Sequence, residues 1–306
     1  AKGLVVTDNI LTGLPNKPIS IYGVNAGGTQ SNVVARNRLT NSGDGATDIH
    51  CIWMAGCEDF LVEENYVYGS NAWAGQSVGT GVGIFVDVVN ISGANSDSCN
   101  NMVVRRNVVI ETGRGATLNA EVGGGGIMVL QSTNVVVEAN ICDNCQNGVV
   151  VLGYYGTGIQ TSNVDLRGNI ATRSKRSGFY IGKVANLVAA RNNIAMGGER
   201  GFYTENSGAG AITNYSEVDN LSYGATMNWA GGNEPTSGTP TITARSPAAS
   251  NLTADPLFAD NSRPWLGLKP GSPCQSAGAY IQGARDRFGR RYTTPPNIGP
   301  WAVIGR

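Results

Sequence analysis

The chain has 306 residues, 22 basic and 22 acidic, with one histidine and no formal net charge. A neutral balance argues against a nucleic-acid binder, which needs a basic face, and no apolar run approaches the 18 residues of a membrane span. Forty-three glycines without a Gly-X-Y period exclude collagen and point to many short strands and tight turns.

Read in chain order, one pattern recurs: Asn or a small residue, alternating apolar residues, then Asn six positions later. Gly3 to Asn9, Ser31 to Asn37 and Asp59 to Asn65 are its first instances. Asn101 to Asn107, Asn134 to Asn140, Asn163 to Asn169, Asn186 to Asn192 and Asn214 to Asn220 follow. The second members form one column, Asn9, Asn37, Asn65, Asn107, Asn140, Asn169, Asn192 and Asn220. Asn tolerates a left-handed turn, and its amide can bond the equivalent Asn one coil away. Two residues on, Leu11, Leu39, Val67, Val109, Cys142, Ala171, Ile194 and Ser222 form a second column that should face inward. This makes Cys142 a buried small hydrophobe, and the single Cys142-x-x-Cys145, with no second pair, is a weak metal or redox signal.

A further strand opens each coil, usually after glycine: Ile19–Tyr22, Ile52–Met54, Ile84–Asp87, Ile127–Leu130, Val149–Leu152, Phe179–Ile181 and Phe202–Glu205. Period-2 alternation puts Ile84, Val86, Ile127, Val129, Phe179 and Ile181 inside. It puts Trp53, Phe85, Met128, Val150, Tyr180 and Tyr203 on one outer face. Three strands per coil, a short Asn turn and variable loops at one corner predict an all-β right-handed parallel β-helix of about eight to ten coils. A β-sandwich would show no such fixed column. The repeat is already running at Gly3, so a missing N-terminal segment or a second subunit is expected over that end. Surplus residues at 70–81, 88–100 and 113–125 read as long loops on a rigid scaffold. The division expected is a β-helix over 1–258 and a Pro- and Arg-rich closing segment over 259–306.

That closing segment carries Asp255-Pro256-Leu257-Phe258, Gly271-Ser272-Pro273, Ala277-Gly278, Asp286 and Pro296-Asn297-Ile298-Gly299. With the Asn column it resembles the right-handed β-helix repeat proteins of the pectate-lyase-like superfamily, which include polysaccharide lyases, glycoside hydrolases and phage tailspikes. The resemblance implies a polysaccharide partner in a groove along the coil-opening strands, no nucleic-acid or membrane partner, and an extracellular or virion-surface setting. It implies no cofactor other than Ca2+, for which no carboxylate cluster is evident. It does not fix the reaction. Neither the Gly-His-Gly of polygalacturonases nor the Asp-Pro-His-Glu of alginate epimerases is present, since His50 lies between Ile49 and Cys51 and Asp255-Pro256 runs into Leu257.

Two clusters fall on the expected groove. The first is Asp48, His50, Trp53, Phe85 and Asp87, with the Trp73 loop above; strands about 4.8 Å apart would let His50 reach Asp87. Its carboxylates suit glycoside hydrolysis. The second is Lys175, Arg176, Tyr180, Lys183, Glu199, Arg200, Tyr203 and Glu205. Cations beside tyrosine suit β-elimination of a uronic-acid polymer, which needs a neutralised carboxylate, a base and an acid. Lys183, Arg200, Tyr180, Asp87 and His50 are the catalytic candidates; Trp53, Phe85, Tyr203, Arg176 and Glu205 are the substrate-binding ones. Asp87 and Glu205, roughly 19 Å apart across four coils, are too far apart for a hydrolytic pair, which needs less than about 10 Å. Each cluster also has a plain reading, a hydrogen-bonded corner histidine and a solvated charged edge. The row of outer aromatics reads equally as sugar platforms or as a subunit face, for instance of a homotrimer. The preferred function is β-eliminative cleavage of an acidic polysaccharide. A carboxylate-based depolymerase and a non-catalytic glycan-binding spike are the alternatives.

Overall fold

The computed structural model describes residues 3–14, 17–24, 32–41, 50–69, 81–88, 98–113, 124–153, 160–182, 185–205, 212–233, 241–260, 267–282, 285–291 and 296–300. Their short β-branched runs form three sheets that wind as a right-handed parallel β-helix of eight coils. Sheet A holds Val5–Thr7, Asn32–Ala35, Phe60–Glu63, Asn100–Arg105, Thr133–Glu138, Ser162–Arg167, Asn186–Arg191 and Thr213–Val218. Sheet B holds Ile10–Thr12, Arg38–Thr40, Tyr66–Tyr68, Val108–Ile110, Ile141–Asp143, Ile170–Thr172, Ile194–Met196 and Leu221–Tyr223. Sheet C holds Ile19–Tyr22, His50–Ala55, Val82–Asp87, Gly125–Leu130, Val149–Leu152, Ser177–Gly182, Arg200–Glu205 and Met227–Asn233, with Thr241–Ala244 added antiparallel at its edge.

A two-residue turn joins sheet A to sheet B. Its first residue is left-handed in every coil, from Asp8 (φ 61) to Asp219 (φ 50), and its second is the ladder asparagine. The strained residue is therefore the one before the asparagine, which itself serves as the coil-to-coil connector. Asn65 donates both N–H and Nδ2 to Asn107 Oδ1 at 2.9 Å, and Asn107 Nδ2 returns to Val62 O at 2.9 Å. The same arrangement runs from Asn9 through Asn37, Asn140 and Asn169 to Asn220 and on to Asn251.

In the seventh coil the ladder residue is Asn193, not Asn192. Asn186 aligns with Ser162 and Leu187 takes the left-handed place of Asn163. A one-residue slip exchanges the faces of a strand, so Ala195, not Ile194, joins the inward column beside Ala171, while Ile194 faces outward and Leu187 is 53% exposed.

The interior is one continuous core from Ile19 to Trp229, with Phe179, Phe202 and Trp229 stacked ring on ring at 4.6 and 4.8 Å. The glycines that open sheet C have a steric cause. A Cβ on Gly126 would lie 2.6 Å from Cys142 Sγ, and one on Gly178 would lie 2.8 Å from Ala195 Cβ. The small column of sheet B and the glycines of sheet C thus meet across a corner too narrow for two side chains. All six cysteines are buried free thiols.

Beyond the eighth coil, Arg245 grips Glu217 with two bonds of 2.6 and 2.8 Å, and Glu217 also accepts the Tyr215 hydroxyl at 3.1 Å. The described residues of the 259–306 segment run back along the side of the solenoid. With Phe258, Cys274 and Ile298 cover Ile141, Ile170, Ile194 and Leu221 on the outer face of sheet B. Asn192, freed from the ladder, exchanges two bonds with Ala279, and Arg285 N reaches Glu138 Oε1 at 3.0 Å.

Candidate functional site

Sheet C carries both expected clusters, and strand pairing fixes where each residue sits. The middle outward column runs Trp53, Phe85, Met128, Val150, Tyr180, Tyr203 and Ala230. It is not an exposed row. Phe85 and Met128 are buried, Tyr180 and Tyr203 are 2% and 0% exposed, and together they form a second apolar cluster. Alternation separates two faces but does not say which is wet, and strands apolar on both faces are the mark of a sheet covered on both sides. Phe85, Tyr180 and Tyr203 are therefore not open sugar platforms.

The first cluster is also rearranged. His50 pairs with Val82 and Asp87 with Ala55, which sets them at opposite ends of their strands, about 16 Å apart at 3.3 Å per residue. His50 is buried edge-on against Phe85, with ring centres 4.6 Å apart. At the other strand end a different group assembles. Trp53, half-buried, donates Nε1 to Asp87 Oδ2 at 3.3 Å, and Asp87 Oδ1 accepts Val88 N at 2.7 Å. The Tyr22 ring meets Trp53 edge-on at 4.8 Å, and Lys17 Nζ stands 3.6 Å above the indole. Tyr22 is 49% exposed. Partial burial raises its hydroxyl pKa, and the Asp87 charge adds to the effect. Sequence reasoning missed Tyr22 and Lys17. The signal for Tyr22 was present, because it ends an alternating strand with its side chain outward, in the column that continues to Asp87.

The second cluster divides along the strands. Arg200 starts its strand beside Ser177, and its guanidinium lies 4.6 Å from the Tyr203 ring. The exposed carboxylate of Glu199 lies 3.8 Å from Arg200 and 3.9 Å from Arg176. Glu205 is buried at the far end, against Gly182. Lys183, Asp48 and Trp73 lie outside the described residues. Among the described residues no three carboxylate, histidine or cysteine side chains gather as metal ligands. Among the described residues no helix is long and apolar enough to cross a membrane.

A family model described as the right-handed beta helix region matches residues 118–249. No curated protein matches the chain. Among solved structures, an exopolygalacturonase from Thermotoga maritima is similar at 17% identity and a TM-score of 0.50, covering 73% of this chain. A periplasmic alginate epimerase is similar at 12% identity and 0.38, over 70% of the chain. A surface adhesin of Streptococcus pneumoniae is similar at 12% and 0.28, over 74% of this chain and 73% of its own. This chain spans about half the length of the first two, 48% and 49%. The fold is the right-handed parallel β-helix.

Proposed function

We propose that this protein binds a polysaccharide across the early coils of sheet C, with Tyr22, Trp53, Asp87 and Lys17 as the sugar subsite. The observation that carries this reading is the partly buried Trp53, held by Asp87 and flanked by the exposed Tyr22 ring. Rigid aromatic faces accept the C–H face of a pyranose, a neighbouring carboxylate accepts its hydroxyls, and an ammonium group attracts a uronate carboxylate. Such a polymer is met outside the cell or on a virion surface. The shared fold of the exopolygalacturonase is an analogy in support and carries no reaction with it.

Cleavage by β-elimination is the finer reading, and Arg176 and Arg200 favour it. Both approach one carboxylate, that of Glu199; Arg200 is buried, at 2% exposed, so the partly exposed Arg176 is the cation that can neutralise a uronate carboxylate in its place. Tyr180, buried in the apolar cluster, is a poor choice as the acid. The test is incubation with acidic and neutral polysaccharides, following absorbance near 235 nm, reducing ends and tryptophan fluorescence. Binding weakened about tenfold in Trp53→Ala supports the subsite, and a rise at 235 nm lost in Arg176→Gln supports elimination. Reducing ends without absorbance would replace elimination by hydrolysis. No binding over the whole panel would overturn the glycan reading.

A further inference from the structure

Away from sheet C, the side segment turns through a short hairpin at 285–291, where Arg285 pairs antiparallel with Arg291. Asp286 ties the turn: its Oδ1 accepts Phe288 N at 2.9 Å and Arg290 N at 2.8 Å, and its Oδ2 accepts Arg290 Nε at 2.7 Å. Gly289 closes it with φ 78. The hairpin holds four arginines against one aspartate, in a chain with no formal net charge. Asp286 is matched by Arg290, and Arg285 Nη1 bonds Gly289 O at 2.8 Å.

Arg287 differs. Its Nε and Nη1 are enclosed, yet neither meets a hydrogen-bond acceptor among the described residues. A guanidinium stays charged, and a buried charged donor without an acceptor carries a large desolvation cost. That burial pulls its pKa below the usual arginine value. Beside it Phe288 is 61% exposed, with the Arg287 and Arg290 guanidinium centres 5.5 and 5.0 Å from its ring.

We propose that the 285–291 hairpin is an oxyanion site, in which Arg287 takes a carboxylate or sulfate group while Phe288 offers an apolar face to the sugar that carries it. The Arg287 side chain is partly exposed, and a guanidinium binds a planar or tetrahedral oxyanion through charge-assisted N–H bonds. The site lies on the segment covering sheet B, so it is separate from the Trp53 subsite and does not depend on the function assigned to that one.

The test uses the intact protein. Sodium sulfate should raise the melting temperature above that in sodium chloride of equal ionic strength, and Arg287→Gln should remove the difference. An oligogalacturonate titrated into Trp53→Ala should still bind, and adding Arg287→Gln should weaken that binding at least tenfold. A neutral oligosaccharide of the same length should not bind there. A response to both ligands identifies an acidic sugar as the source of the oxyanion, and a response to sulfate alone identifies a free anion; either supports the site. Arg287→Gln removes an enclosed charge and should fold. Should the wild type respond to neither ligand, or should folded Arg287→Gln respond as the wild type does, the proposal is overturned.

Discussion

Leu187 has a left-handed backbone (φ 51) where the preceding and following coils place Asn163 (φ 54) and Asn214 (φ 52). A leucine there costs roughly 1–2 kcal/mol that asparagine largely avoids, and its side chain is exposed, so nothing is lost from the core on replacement. Leu187→Asn should therefore stabilise the fold by about 0.5–1 kcal/mol, read as a higher urea midpoint at unchanged slope. Gly178 is the opposite case. A methyl group there meets both Ala195 Cβ and Gly201 O at 2.8 Å. Gly178→Ala should destabilise by about 1–3 kcal/mol in the same titration. At the candidate site, Trp53→Ala should weaken polysaccharide binding about tenfold, or ~1.4 kcal/mol, by calorimetry. An equal loss in His50→Ala would instead place the sugar over the buried aromatic cluster.

Among the elements, the asparagine ladder carries the most weight. Asn140 Oδ1 accepts two buried donors from Asn107, at 2.9 and 3.0 Å. Asn140→Ala strands both, and each unsatisfied donor costs about 1–3 kcal/mol, so a loss of roughly 2–6 kcal/mol is expected in thermal or urea unfolding. The ladder was the most legible feature of the sequence, because a buried amide that must bond to its own kind leaves the same letter in every coil. It misled only where two asparagines stand together. Asn192 completes the six-residue spacing from Asn186, and only the neighbouring strands decide that Asn193 turns in. The sheet C clusters were less legible. Sequence places residues on a strand face, but whether a face is covered, or which end of a strand a side chain occupies relative to the next coil, depends on register. This is why Tyr180 and Tyr203 proved buried, why His50 and Asp87 proved distant, and why Tyr22 went unnoticed.

On the scale of the whole molecule, the packed thiols couple stability to pH. Burial holds Cys145 up to about 11 and Cys274 up to about 12, against 9.0 for an exposed thiol. Between pH 9 and 11 the unfolded chain has released protons that the folded chain keeps, so unfolding releases protons and stability falls as pH rises. Urea midpoints should be flat below about pH 8.5 and decline above pH 9, with a shallower decline in Cys145→Ala. In native protein at neutral pH the thiols should be silent to a thiol reagent, and all six should react in urea.

The side segment changes what kind of object the solenoid is. A plain stack of coils is held by nearest neighbours alone, so it can fray from an end one coil at a time. Here Ile298 and Phe258 lie across the outer faces of four successive coils, and Arg285 bonds Glu138, 147 residues back in the chain. That closure raises contact order and delays the last folding step until the later coils are in place. Once made, it ties those coils into one cooperative block, so amide exchange should show the strands from Ile141 to Leu221 opening together, while the first coils, which no described residue of this segment covers, open early and independently.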